Sequence, residues 1–295
     1  MKEAFIDTRF NEKSRGLIKT ANTIIAEYAG QGFQLTLRQL YYQFVSRAVI
    51  ENTERSYKNL GSLISDARMA GEVDWNAIED RTRNLRGRSH WDSPVDIAET
   101  CVSAYFKDRW EGQKNRIEVW VEKEALAGVA DAACHPIDVP YFCCKGYTSQ
   151  SEMYGAAQRL LAYKRRGQKP VIIHLGDHDP SGIDMSRDIQ ERLHILTRGC
   201  DVEFHRIALN MNQIEQYNPP PNPAKMTDSR FKAYRRKHGE NSWELDALEP
   251  KLLVELIQSK AKGYIDQRVL DQVISEEEEG KDALRRAVDT LREEE

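Results

Sequence analysis

An α/β fold, with a helical N-terminal region ahead of a mainly parallel sheet, is the expectation that the sequence carries, on three grounds. Apolar residues recur at helical spacing through the first hundred positions. From Ile117 onward, short apolar runs alternate with amphipathic stretches, as strands joined by crossover helices do. Two of those runs end in acid: Glu122 follows Arg116 to Val121, and Asp177 and Asp179 follow Val171 to Leu175.

Taken along the chain, Leu17, Ala21, Ile24 and Ile25 predict a first helix that Gly30-Gln31-Gly32 ends. Thr36 caps a second, with Leu37, Leu40, Tyr41, Phe44, Val45 and Ala48 on one face. A third runs through Tyr57, Leu60, Leu63, Ile64 and Ala67 to Gly71. A brief extended element at Val73, Trp75 and Ile78 precedes Arg81, Arg83, Arg86 and Arg88. Three short helices, an extended element and a basic loop are the outline of a winged helix. A solvated turn would also explain the loop, but four arginines within eight residues favour phosphate contact.

Strands are expected at 117–122, 139–144, 171–176 and 202–209, and helices at 124–133, 149–165 and 183–197. Right-handed crossovers then place Glu122, Lys145 and Asp177 at the carboxyl edge of one sheet. Three regions follow: residues 1–110 helical, 111–210 with the sheet, and 211–295 as a mostly helical extension with an acidic tail. In that extension, Asn218 to Lys225 reads as a proline-stiffened loop, and Trp243, Leu245, Leu248 and Leu252 anchor helix. Glu276 to Glu279 reads as a solvated segment before a final amphipathic helix with Leu284, Val288 and Leu291.

The 295 residues have room for a sizeable core and contain no run near the roughly 20 apolar residues that cross a bilayer. Lys2, Glu3, Asp7 and Arg9 do not fit a signal peptide, so a cytoplasmic protein, nucleoid-associated if it binds DNA, is expected. Five cysteines without metal-ligand spacing read as small buried hydrophobes. Net charge is −4, but the segment from Asp271 holds ten acidic and four basic residues, which leaves +2 elsewhere and room for a local basic surface.

The chemistry concentrates in two places. Asp177 and Asp179 project to the same side if the strand continues that far, and with Glu122 they form a hard-oxygen set suited to Mg²⁺ or Mn²⁺. Each aspartate alone reads equally well as a turn or helix cap. On the second helix, Tyr41 shares the apolar face, whereas Tyr42 turns about 100° away, one helical turn beyond Arg38. A hydroxyl beside a guanidinium on an exposed face can attack a phosphodiester, with the arginine favouring phenolate; stacking or packing is the plainer alternative.

Leu35-Thr36-Leu37-Arg38-Gln39-Leu40-Tyr41-Tyr42 resembles the catalytic helix of the winged-helix domain in topoisomerase VI A subunits and the related meiotic double-strand-break transesterase. Val119-Trp120-Val121-Glu122-Lys123-Glu124-Ala125-Leu126 resembles the first strand of their Toprim domain. Gly176-Asp177-His178-Asp179-Pro180-Ser181-Gly182 resembles its acidic second motif, and Lys145-Gly146-Tyr147 the strand end between them. The motifs keep the family's order over roughly residues 30 to 200.

This resemblance implies Tyr42 as a nucleophile joined to a DNA 5′ phosphate, with Arg38 near the scissile phosphate. It implies Glu122, Asp177 and Asp179 as ligands of Mg²⁺ or Mn²⁺, with Glu122 also catalytic. It implies duplex DNA as substrate and a homodimer in which one protomer's tyrosine works with the other's metal. The DNA-binding candidates are Arg38, Arg68, Arg81, Arg83, Arg86, Arg88, Lys123 and Lys145. Only about thirty residues precede the tyrosine helix, so the resemblance is to minimal A-like proteins and an ATPase partner of the B-subunit type is not expected. Two other readings stay open: a hydrolytic nuclease like the overcoming-lysogenization-defect type, and a DNA-binding or assembly subunit without catalysis.

Overall fold

Three helices open the chain, α1 (Glu12–Ala29), α2 (Leu37–Ser46) and α3 (Glu54–Met69), in a computed structural model that describes residues 2–78 and 88–293. Each begins at a side-chain cap: Asn11 accepts from Ser14 N at 2.8 Å, Thr53 accepts from Ser56 N at 3.1 Å, and Thr36 forms a capping box with Gln39. Their inward residues, Ile18, Ala21, Ile24 and Tyr28, then Leu40, Tyr41 and Phe44, then Leu60, Ile64 and Ala67, recur every three or four positions and close on one another. The expected extended element differs. Asp74 caps a 3-10 turn at Trp75–Ala77, accepting from Asn76 N at 2.8 Å, and only Ile78 pairs, in a bridge to Leu35. Arg81, Arg83 and Arg86 lie outside the described residues, and Arg88 is exposed.

After α4 (Pro94–Ala104) come β1 (Asn115–Val121), β2 (Tyr141–Cys143), β3 (Lys169–Leu175) and β4 (Glu203–Ala208), all parallel in the order β2-β1-β3-β4. The fold is therefore α/β, with eleven α-helices and a four-stranded parallel sheet among the described residues. The crossovers are α5 (Ala127–Cys134), α6 (Gln150–Arg165) and α7 (Pro180–Leu196).

Strand alternation assigns the faces. Ile117, Val119, Val121, Val171, Ile173 and Leu175 pack with Val129 and Ala130 of α5 and with Leu253 and Ile257 of α10 (Pro250–Lys262). Trp120 and Ile172 pack with Met153, Ala157 and Leu160 of α6 and with Ile189 and Leu193 of α7. Both faces are covered, which is why these strands read as apolar runs. Buried Glu118 and His174 are the exceptions: Glu118 is served by Arg159, Tyr163 and the Trp120 indole at 2.9–3.1 Å, and His174 Nδ1 lies 3.2 Å from Ser186 Oγ. The chain leaves β1 towards β2 and returns on the other side at β3, so the crevice for a ligand lies beyond the carboxyl ends of β1 and β3.

The rest of the chain packs around this sheet: α8 (Met211–Tyr217), a ribbon of β5 (Asn222–Pro223) with β6 (Asn241–Ser242), α9 (Phe231–His238) between them, a 3-10 turn at Leu245–Ala247, α10 and α11 (Gln267–Glu293). The Glu276 to Glu279 run is not a solvated lead-in. It lies within α11, whose register turns Glu277 inward with Val273, where it pairs with Arg109 at 3.0 Å and Lys281 at 2.6 Å and accepts from Lys107 N at 2.9 Å. Cys134, Cys144 and Cys200 are buried as expected, whereas Cys101 on α4 is exposed. None of the described helices is long and apolar enough to cross a membrane.

Candidate active site

The crevice at the β1 and β3 ends gathers the acidic residues. Val121 lies level with Leu175, and the Glu122 amide donates to the Leu175 carbonyl at 2.9 Å, so the two chains leave the sheet side by side. Glu122 reaches across, and its Oε2 accepts from the Asp177 amide at 2.8 Å. That approach needs Gly176, where a Cβ would meet Glu122 Oε2 at 2.8 Å. Strand β3 ends at Leu175, so Asp177 sits in the following turn rather than in a continued strand. Asp179 caps α7, accepting from Gly182 N at 2.6 Å and Ser181 Oγ at 2.9 Å. Arg206 of β4 holds the turn from beneath, donating to the carbonyls of Gly176 at 2.9 Å and Asp177 at 2.6 Å.

His178 then pairs with Trp243 through two backbone hydrogen bonds, of 2.8 and 2.9 Å, which carries the segment Trp243 to Ala247 onto the same edge. Leu245 N donates to Asp177 Oδ1 at 2.7 Å. Glu244 and Asp246 thereby join Asp177, and one oxygen of each lies within 4.8 Å of the others, so this trio can hold a metal ion. The set expected from sequence differs, because Asp179 is turned to its helix and Glu122 to a backbone amide. Glu122 and Asp179 still line the cavity.

Two cations balance the trio. Lys123 Nζ contacts Asp177 at 2.9 Å, Glu244 at 2.5 Å and Asp246 at 2.9 Å. Arg38 pairs with Glu244 and, through Nε at 2.8 Å, with Asp246. Burial opposes ionisation of Glu244, but Lys123 and Arg38 outweigh it and hold its carboxyl at about 2. Asp177 goes the other way: burial, then Glu122, Asp246 and Glu244, raise it well above the usual range despite Lys123. Asp246 Oδ2 is buried with no aligned hydrogen bond. Three hard oxygen donors within reach of one another fit Mg²⁺ or Mn²⁺, provided that the Lys123 ammonium gives way.

Tyr42 faces this trio from α2. It is not on an exposed face: α2 is pressed onto the turn at Leu245–Ala247, Ala247 joins the helical core, and Tyr42 is 4% exposed. Its ring meets Tyr41 edge-on at 5.3 Å and lies 5.9 Å from the Arg38 guanidinium. Tyr41 spends its hydroxyl on Asn52 at 2.9 Å and Thr53 O at 3.1 Å, while among the described residues the Tyr42 hydroxyl makes no hydrogen bond. Arg38 does favour phenolate, as expected, but it is outweighed. Burial first, then Asp246 and Glu244, push the Tyr42 phenol up, and Arg38 and Lys123 only oppose this.

Tyr42, Arg38, Glu122, Lys123, Asp177 and Asp179 line one cavity of about 540 Å³, with Asn222, Lys225 and Ser242 at its rim. Other expected DNA contacts are placed differently. Arg68 stacks on Trp75 at 4.9 Å and donates to its carbonyl, fixing the 3-10 turn. Lys145 pairs with Glu124 at 2.7 Å at the sheet edge, outside the cavity lining. The functional residues that sequence reasoning missed are Glu244 and Asp246. No local signal marks them, because Glu244 caps and Asp246 lies within a 3-10 turn that only the distant bridge to His178 brings to the sheet edge. No protein-family model matches the chain, and no curated protein matches it.

Proposed function

We propose that the protein is a divalent-metal-dependent DNA-cleaving enzyme of topoisomerase VI A type, with a winged helix at residues 1–110, a Toprim domain at 111–210 and an extension of it at 211–295. One observation carries the reading: a tyrosine hydroxyl free of internal partners shares a cavity with Asp177 and Glu244, two of the three carboxylates fit for a metal, with Asp246 buried behind them. Asp177, Glu244 and Asp246 would hold the metal, which would supply charge stabilisation for phosphoryl transfer.

The chain's own residues do the rest. Tyr42 Oη bonds to phosphorus as the P–O3′ bond breaks, leaving the DNA 5′ phosphate on the tyrosine. Burial and the charges of Asp246 and Glu244 hold the phenol protonated, and its proton passes to solvent as Oη attacks. The departing 3′ oxygen takes a proton from solvent. Arg38 and Lys123, released from these acids, face the scissile phosphate. Tyrosine and carboxylates come from one chain, and a homodimer would set two such cavities against the two strands of a duplex.

Hydrolysis by metal-activated water is the second reading, favoured by the burial of Tyr42 and its raised pKa. Cleavage of a supercoiled plasmid in Mg²⁺ separates the two. Tyr42→Phe is expected to abolish cutting with metal affinity intact, and Tyr41→Phe to have a mild effect. A Tyr42→Phe protein that cuts at the wild-type rate, with Glu122→Gln inactive, establishes hydrolysis instead.

A further inference from the structure

Helix α9 (Phe231–His238) is the most basic element of the described chain, yet its sequence gave no reason to place it near the cavity. Its inner face is apolar: Phe231 packs with Ala224 and Ile183, and Tyr234 is buried. Tyr234 Oη lies 2.8 Å from His178 Nδ1 and 2.9 Å from the His178 carbonyl, so the helix is fastened to the residue between Asp177 and Asp179. The ribbon of β5 and β6 that brackets the helix supplies Asn222, Pro223 and Ser242 to the cavity wall, with Lys225 just beyond it. Helix α9 is therefore anchored next to the cavity wall, with its outer face in solvent.

That face carries Lys232, Arg235, Arg236 and Lys237, all exposed, and the helix contains no acidic residue. Arg235 pairs with Glu240 at 2.5 Å, whereas Lys232, Arg236 and Lys237 form no ion pair among the described residues. Cations in a last turn complement the helix dipole, which accounts for part of this pattern. Lys232 lies in the first turn, where the dipole disfavours it, so the charge is not there for the helix. In a chain of net charge −4, three unpaired cations spaced along one exposed face are a local field for a polyanion.

We infer that α9 is a phosphate-tracking element that holds the backbone of duplex DNA beside the cavity. The inference rests on the proposed DNA-cleaving function and adds to it a binding surface in the C-terminal extension. Lys232, Arg236 and Lys237 each neutralise a backbone phosphate without reading sequence. Tyr234 and His178 fasten the helix to the acidic turn.

The test measures the salt dependence of binding of the full-length protein to a short mixed-sequence duplex in EDTA, so that the metal site is silent. Lys232→Gln with Arg236→Gln and Lys237→Gln is expected to flatten the slope of log K against log salt by about 0.9 per lost phosphate, roughly 2–3 units in all. The exchange Lys232→Arg with Arg236→Lys and Lys237→Arg keeps the slope, and melting temperatures show that both variants fold. An unchanged slope in the glutamine variant, or no binding by the wild type, overturns the inference. So does an unchanged DNA slope in a glutamine variant that no longer binds phosphatidylserine vesicles, which would make the surface a membrane contact. A flattened slope in a protein that forms no Tyr42 adduct keeps the inference and removes the transesterase reading; an adduct with an unchanged slope does the reverse.

Discussion

Lys123 is where stability and activity pull against each other at the level of single residues. Its ammonium, mostly buried, bonds the same three carboxylates that can hold a metal. Removing it leaves those charges uncompensated, so Lys123→Met is expected to cost about 3–5 kcal/mol in EDTA. It is also expected to gain more melting temperature from Mg²⁺ than the wild type does, because the cation no longer competes. Equal Mg²⁺ responses by thermal unfolding contradict the competition. A second residue gives a pH signature. Burial, with Arg206 nearby, lowers His174 from 6.5 to about 3. The folded state then binds fewer protons than the unfolded one between those values, so this histidine's contribution to stability is present above pH 6.5 and falls as pH drops towards 3. His174→Gln should lose less stability than the wild type between pH 6.5 and 5, by up to about 1.4 kcal/mol per pH unit, as read by urea titration. Glu122 and Asp177 were legible in sequence because each ends an apolar strand. Glu244 and Asp246 were not, because the bridge between His178 and Trp243 that delivers them spans 65 positions.

Among the elements, α11 holds a buried charge where the sequence reads as solvated. Glu277 is enclosed by Arg109, Lys281 and the Lys107 amide, while Glu278 on the same helix is exposed. Glu277→Ala is expected to destabilise by about 3–5 kcal/mol, and Glu278→Ala to stay within about 0.5 kcal/mol. Comparable effects in guanidinium unfolding would show that the run acts as one solvated block. The elements that sequence rendered well are those with strong local signals. The capping box places α2, and the apolar runs place β1 and β3 within two residues of where they lie. Helix α9 lacked such signals, since it has only Phe231 and Tyr234 to bury and shows its face only against Ala224, Ile183 and His178. Tyr42 shows the limit of periodicity: its angle from Tyr41 on α2 was right, but a segment two hundred residues away covers the second face.

Across the whole molecule, the cavity closes only where three distant stretches meet. Helix α2 brings Tyr42 and Arg38, the sheet edge brings Glu122, Lys123 and Asp177, and the turn after β6 brings Glu244, with Asp246 buried behind it. On the proposed reading, the cation-filled trio and the protonated phenol are a resting state, and DNA with a divalent cation would replace the internal ion pairs of Lys123 and Arg38. The most direct measurement is to mix the protein with end-labelled duplex in Mg²⁺ or Mn²⁺, denature it in detergent and look for label that migrates with protein. The account predicts a covalent adduct carried on the DNA 5′ end, absent in EDTA, absent in Tyr42→Phe and retained in Tyr41→Phe. Cleaved duplex with free 5′ phosphates and no adduct at any time would contradict it.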